Sequence, residues 1–148
     1  MVYPSIVHVT KRLRQISHGL DKHSKFIQEK YKITIPQLIC LWEIYKKGPI
    51  PLGELTKNVF LNKSTVTGIV DRLERRGLVR RTRISNDRRQ IHVEITDEGR
   101  NFLDSAPTPL QDKFSTRFKA LDEDDRKQIM QAIDRIVELM DLDDATIE

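Results

Sequence analysis

The tightest restriction on how this chain can fold comes from residues 62–96, NKSTVTGIVDRLERRGLVRRTRISNDRRQIHVEIT. Val66, Ile69, Val70 and Leu73 fall at i, i+3, i+4 and i+7, the spacing of one helical face turned to a core. Asn62 is placed to cap that helix and Lys63 to begin it. Gly77 suits the left-handed position that ends a helix, and Leu78 can close the cap. Ile91, Val93 and Ile95 then alternate with His92 and Glu94, the pattern of a half-buried strand. Residues 79–84 alternate less clearly but supply the other strand of a hairpin. Its polar loop, residues 85–90, projects Arg88 and Arg89.

The polar face of the helix has two halves. Ser64, Thr67, Gly68, Asp71 and Arg75 lie opposite the apolar stripe, with Thr65 and Arg72 on the flank. Small hydroxyl residues occupy the N-terminal half and arginines the C-terminal half. A face of this kind can enter the major groove of a DNA duplex, because short side chains let the backbone come close and guanidinium groups meet phosphates or base edges. Most polar helix faces are simply solvated. The cationic sequel Arg80, Arg81, Arg83, Arg88 and Arg89 argues for the groove. A basic loop beside such a helix suits the narrow minor groove, where negative potential is concentrated. Asp87 would hold a neighbouring guanidinium there, or serve only as a turn-former.

The charge distribution points the same way. Residues 1–59 hold ten Lys/Arg against four Asp/Glu, and residues 60–90 hold nine against three. Residues 101–148 reverse the balance, six against twelve, so the acidic end is free for subunit contact while the rest suits a polyanion. The chain is 148 residues long, the size of one domain. With 38% hydrophobic residues and a mean hydropathy of −0.51, a helical chain of this kind is expected to finish burying its apolar stripes against a partner. No run is long enough to span a bilayer and no secretory signal is visible, so the expected compartment is the cytoplasm and no membrane partner is expected. The single cysteine, Cys40, sits in the apolar run LICLW and reads as a buried thiol rather than a redox switch. His8, His18 and His23 lack metal-ligand spacing, so neither a metal nor a cofactor is expected.

In chain order, Ile6, Val9, Leu13, Ile16, Leu20, His23 and Ile27 form a long helical stripe over residues 4–30. Thr34 and Gln37 form a capping box for a second helix bearing Leu38, Ile39, Leu41, Trp42 and Tyr45, which ends near Gly48. Pro49 and Pro51 read as a turn, and residues 52–59 as a short third helix with Leu55 and Val59 inward. Short helix, tight turn and a helix with a polar outer face are the elements of a helix-turn-helix, and the hairpin makes it winged.

The run from Leu61 to the glycine at 99 strongly resembles the MarR family of bacterial transcription regulators. The pieces that carry the resemblance are Ser64-Thr65-Val66-Thr67, Asp71-Arg72-Leu73, Arg76-Gly77-Leu78-Val79, the wing residues Asp87 and Arg89, and Thr96-Asp97-Glu98-Gly99. The order of elements is similar over nearly the whole chain. The resemblance implies a mainly α fold with a small β-hairpin wing: a winged helix-turn-helix with N- and C-terminal dimerisation helices. It implies one structural domain, with residues 34–102 as the DNA-binding unit and residues 1–33 with 103–148 as the dimerisation region. It further implies a homodimer on a pseudo-palindromic operator in double-stranded DNA. By position Ser64, Thr65, Thr67, Gly68 and Arg72 would meet the major groove, and Lys63 and Arg75 complete the set on the same helix. Arg89, oriented by Asp87, would be the wing-tip contact and Arg88 a phosphate contact. Gly68 stands where many relatives carry a larger polar or basic residue. A small aromatic or phenolic effector is implied between the dimer helices and the winged unit, with His18, His23, Phe26, Trp42 and Tyr45 as its candidate lining.

Towards the C-terminus, Thr96 can cap a helix beginning Asp97-Glu98. Pro107 and Pro109 predict a break before helix resumes near Leu110, with Phe102, Leu103, Leu110, Phe114 and Phe118 as its apolar face. An acidic start at residues 122–125 opens a last helix carrying Ile129, Ile133, Ile136, Val137 and Met140, and residues from 143 read as frayed. The expectation is a ligand-responsive repressor rather than an enzyme, since no phosphate loop, metal cluster or reactive cysteine is present in the sequence. The alternative is a winged-helix module for protein contact with no operator, which would bind its target with little dependence on salt.

Overall fold

The computed structural model describes residues 3–83 and 90–142. Among the described residues, seven helices and three short strands follow in the order α1 (Pro4–Tyr31), α2 (Ile35–Lys47), β1 (Ile50–Pro51), α3 (Leu52–Val59), α4 (Lys63–Arg75), β2 (Val79–Thr82), β3 (His92–Ile95), α5 (Asp97–Ser105), α6 (Asp112–Ala120) and α7 (Glu123–Leu139). Each start has a local cause. The hydroxyl of Thr34 accepts from the Gln37 N–H while the Gln37 side chain accepts from the Thr34 N–H, the expected capping box. Asn62, Thr96 and Asp122 accept from the N–H groups of Thr65, Gly99 and Asp125. The chain leaves α5 at Ala106 and re-enters helix at Asp112, so Pro107 and Pro109 lie in a break, as their missing N–H groups require.

The sheet is antiparallel in the order β1-β3-β2. Sequence reasoning finds only the hairpin β2–β3. Residues 49–51 read as a turn because of their two prolines, yet Ile50 and Pro51 pair with Val93 and His92. A proline is tolerated there because β1 is a two-residue edge strand that needs few donors. This third strand ties the wing base to the start of α3, where the Leu52 N–H donates to the Ile91 carbonyl at 3.1 Å.

The core draws on α2, α3, α4, the sheet and α5, with Ile27 of α1 and Ile33 at its edge. On α2 the buried face is Leu38, Cys40, Leu41 and Ile44. Ile39 and Tyr45 are exposed and Trp42 is half-buried, because the helix buries the arc that meets α3, α4 and β3. Outside residues 27–103 the one buried apolar side chain among the described residues is Pro107. The stripe of α1 is open along Ile6, Val9, Ile16 and Leu20, and that of α7 along Met130, Ile133 and Met140. Phe114 and Phe118 of α6 stack on one another at 5.6 Å, yet Phe114 stays exposed.

Candidate nucleic-acid interface

The helix α4 is amphipathic by placement as well as by pattern. Val66, Ile69, Val70 and Leu73 are all buried. Its other side presents Lys63, Ser64, Thr65, Gly68, Arg72 and Arg75 to solvent, with Thr67 half-buried beside them. The fold thus gathers on one helix the seven residues singled out there from sequence. The N-terminal turn is already organised: the Asn62 carboxamide oxygen accepts from both the Ser64 hydroxyl, at 2.9 Å, and the Thr65 N–H, at 2.7 Å. Thr67 donates its hydroxyl to the Lys63 carbonyl at 2.8 Å, which leaves its lone pairs outward as acceptors. A Cβ at Gly68 would meet nothing within 4 Å, so no internal packing demands glycine there.

The helix stops as its sequence requires. Gly77 has φ +74°, its N–H donates to Glu74, and the Leu78 N–H reaches back to the Leu73 carbonyl at 3.0 Å. These two bonds make a Schellman cap. The Thr96 hydroxyl donates to the Gly77 carbonyl and the Thr96 N–H to that of Leu78, so the start of α5 is stitched to the end of α4. A Cβ on Gly99 would collide with the Leu78 carbonyl, which explains the glycine in Thr96-Asp97-Glu98-Gly99 as a close backbone approach.

The arginines that look alike in sequence separate into classes. Arg76 donates to the Lys32 carbonyl at 2.7 Å and lies 5.3 Å over the Phe102 ring, so it fastens α4 to the end of α1 and to α5. Arg80 pairs across the sheet with its register partner Glu94 at 2.6 Å, which raises its pKa through that hydrogen bond. Arg81 turns back to α4 and donates to Asp71 and Glu74. Arg72 and Arg75 make no ion pair among the described residues and stand exposed on the polar face. Sequence spacing cannot make this division, because the acid partners come from other elements. Asp87, Arg88 and Arg89 lie outside the described residues.

An open groove of about 680 Å³ runs beside this face, lined in part by Gly53, Thr56, Lys57, Lys63 and Gln90. It brings Lys57 of α3 and the wing base next to Lys63. Lys57 was missed in the sequence; only its position one turn before the helix-turn-helix corner hinted at it.

The candidate effector residues fall into separate places within one chain. His23 is buried, donates Nε2–H to the Thr108 carbonyl at 3.1 Å and stacks on Phe26 at 6.2 Å. Trp42 meets Tyr45 edge-on at 5.9 Å. No ring contact among the described residues joins the two pairs. His18 is exposed and borders a groove of about 780 Å³ along α1 with His8, Lys11 and Arg12. The Trp42 indole N–H is buried and has no acceptor among the described residues. Burial, with the Glu43 carboxylate adding to it, pushes the Cys40 thiol up to about 12. No described helix is long and apolar enough to cross a membrane.

Comparison with known proteins places the winged unit. The family model described as MarR family matches residues 33–91. The uncharacterised HTH-type transcriptional regulator YsmB of Bacillus subtilis (strain 168) is 28% identical over 120 residues, covering 81% of this chain and 82% of the relative. The crystal structure of Sco3205, a MarR family transcriptional regulator from Streptomyces coelicolor in complex with DNA, superposes with a TM-score of 0.78 at 21% identity, over 93% of this chain and 89% of that one. NadR in complex with 4-hydroxyphenylacetate superposes with a TM-score of 0.66 at 24% identity, over 95% and 94% of the two chains. At these identities the structural likeness is one of fold.

Proposed function

Taking as premise that this chain belongs to the MarR family, we propose that it is a sequence-specific regulator of transcription that binds double-stranded DNA as a homodimer. One observation carries the reading: α4 buries its whole apolar stripe and leaves outward a short-chained polar half followed by Arg72 and Arg75, which make no ion pair among the described residues. Ser64, Thr65, Thr67 and Gly68 let the helix backbone approach the bases, while Lys63, Arg72 and Arg75 neutralise phosphates. Arg88 and Arg89 of the wing loop, with Asp87 in support, extend the footprint to the flanking minor groove. Residues 34–102 form the DNA-binding unit, and the open stripes of α1 and α7, in residues 1–33 and 103–148, meet their counterparts in a second copy. Two such units read half-sites about 34 Å apart, and occupancy of that operator represses.

An aromatic or phenolic acid that changes the spacing of the two units relieves repression. The supporting feature is the Trp42 indole donor, which lies beside Tyr45 and has no acceptor among the described residues. His18, His23 and Phe26 of α1 are the further candidate lining, and within one chain they lie apart from the Trp42–Tyr45 pair.

The test is selection of bound duplexes from random DNA, followed by titration of the recovered sequence over a salt series. The expected result is a two-fold symmetric site and log K falling steeply with log salt, by about 0.9 per neutralised phosphate. Arg72→Ala should weaken binding with the helical circular dichroism unchanged. Recovery of no sequence, or a flat salt response, would overturn the reading.

A further inference from the structure

The polar face of α4 carries a carboxylate where a DNA-binding surface can least use one. Asp71 lies four residues before Arg75, with the acid N-terminal to the base, which is the favoured arrangement for an ion pair along one helix. Such a pair would cancel the charge of Arg75. In the structure Asp71 is taken elsewhere. Arg81 of β2, with only a quarter of its side chain exposed, donates Nη2–H to Asp71 at 2.5 Å and Nη1–H to Glu74 at 2.7 Å. Its backbone N–H donates to the second Glu74 oxygen at 3.0 Å. The two acids are one turn apart on α4, so a planar guanidinium with parallel donors can hold both. Partial burial opposes this charge, and the bonds to Asp71 and Glu74 outweigh it and raise the pKa of Arg81.

We propose that Arg81 is a positioning residue for DNA binding: anchored also on Glu74, it sequesters Asp71 and so keeps that carboxylate from Arg75, which stays available to phosphate. It touches no DNA itself. The same clamp fixes β2 against the reading helix. The inference rests on the DNA-binding reading given above.

The number of phosphates neutralised is read from the salt slope, which a loss of fold rigidity alone would not change. With the duplex recovered from random DNA, Arg81→Gln should flatten the slope by about 1.8, one phosphate for each of two Arg75 side chains at about 0.9 each. Arg75→Ala should flatten the slope of the native protein equally and have no further effect in the Arg81→Gln background. The double variant Asp71→Asn with Arg81→Gln should restore the native slope, since the competing carboxylate is gone. A native slope in Arg81→Gln, or no recovery in the double variant, overturns the proposal. Asp71→Asn alone keeps the Glu74 bond and guards against misfolding of the Gln variant: an unchanged slope supports the proposal, and a steeper one shows that Asp71 was already pairing with Arg75. A native protein with no salt-dependent binding would instead refute the DNA-binding reading itself.

Discussion

Gly68 sits in the middle of α4 with open space where a side chain would be. A glycine in a helix interior costs about 1 kcal/mol relative to alanine. Gly68→Ala is therefore expected to raise stability by about that much, as a higher urea midpoint at constant slope. If it also lowers operator affinity, the missing Cβ marks a close approach of backbone to DNA; equal affinity would leave Gly68 a surface residue. Cys40 makes the opposite case, a residue whose chemistry is silenced by its position. Its thiol is pushed from 9.0 to about 12 by burial, so it stays protonated at neutral pH. A thiol-specific reagent should not label native protein and should label it fully in denaturant. The sign of the linkage follows: between 9.0 and about 12 the unfolded thiol ionises while the folded one does not, so Cys40's contribution to stability is lost as pH rises through that window. The buried cysteine and the apolar stripe of α4 were both legible as residues. The roles of Arg76, Arg80 and Arg81 were not, because their partners Lys32, Glu94, Asp71 and Glu74 are brought to them by packing.

At the scale of elements, the helices were readable because each start carries its own signal. Asn62, Thr96 and Thr34 cap as their spacing predicts, and Asp122, read only as part of an acidic helix start, caps α7. Asn62 matters most, since its side chain holds both Ser64 and the Thr65 N–H at the turn proposed to face DNA. Asn62→Ala should cost about 1 kcal/mol of stability in chemical denaturation. Operator affinity should fall beyond what stability explains, because Ser64 loses its fixed rotamer; an affinity unchanged at native fold would place Ser64 outside the contact. The strands were less readable. β1 is two residues long and half proline, so it has no period to detect and exists only because β3 lies beside it. The break between α5 and α6, by contrast, is written locally in Pro107 and Pro109.

At the scale of the whole molecule, the core closes within residues 27–103 and leaves two long helices with uncovered apolar stripes. Contiguous exposure of this kind is the mark of an interface. Ile133, 54% exposed on α7, is a direct probe. Ile133→Glu should shift the protein from dimer to monomer in sedimentation and lower operator affinity by at least tenfold, because two linked half-site contacts become one. A dimer that survives the substitution with native affinity would place the interface elsewhere. What could be read from the chain alone was whatever is encoded within about a dozen consecutive residues: caps, glycine stops, proline breaks, helical stripes and the polar face of α4. What packing decided was everything that depends on residues far apart in sequence. It chose which arginines bind carboxylates and carbonyls and which make no ion pair among the described residues, paired Ile50 with Val93, and set His23 and Trp42 in different surroundings. The reason is physical. Periodicity fixes the direction a side chain takes from its own helix or strand, whereas an ion pair or a burial depends on what a distant segment brings to the other side.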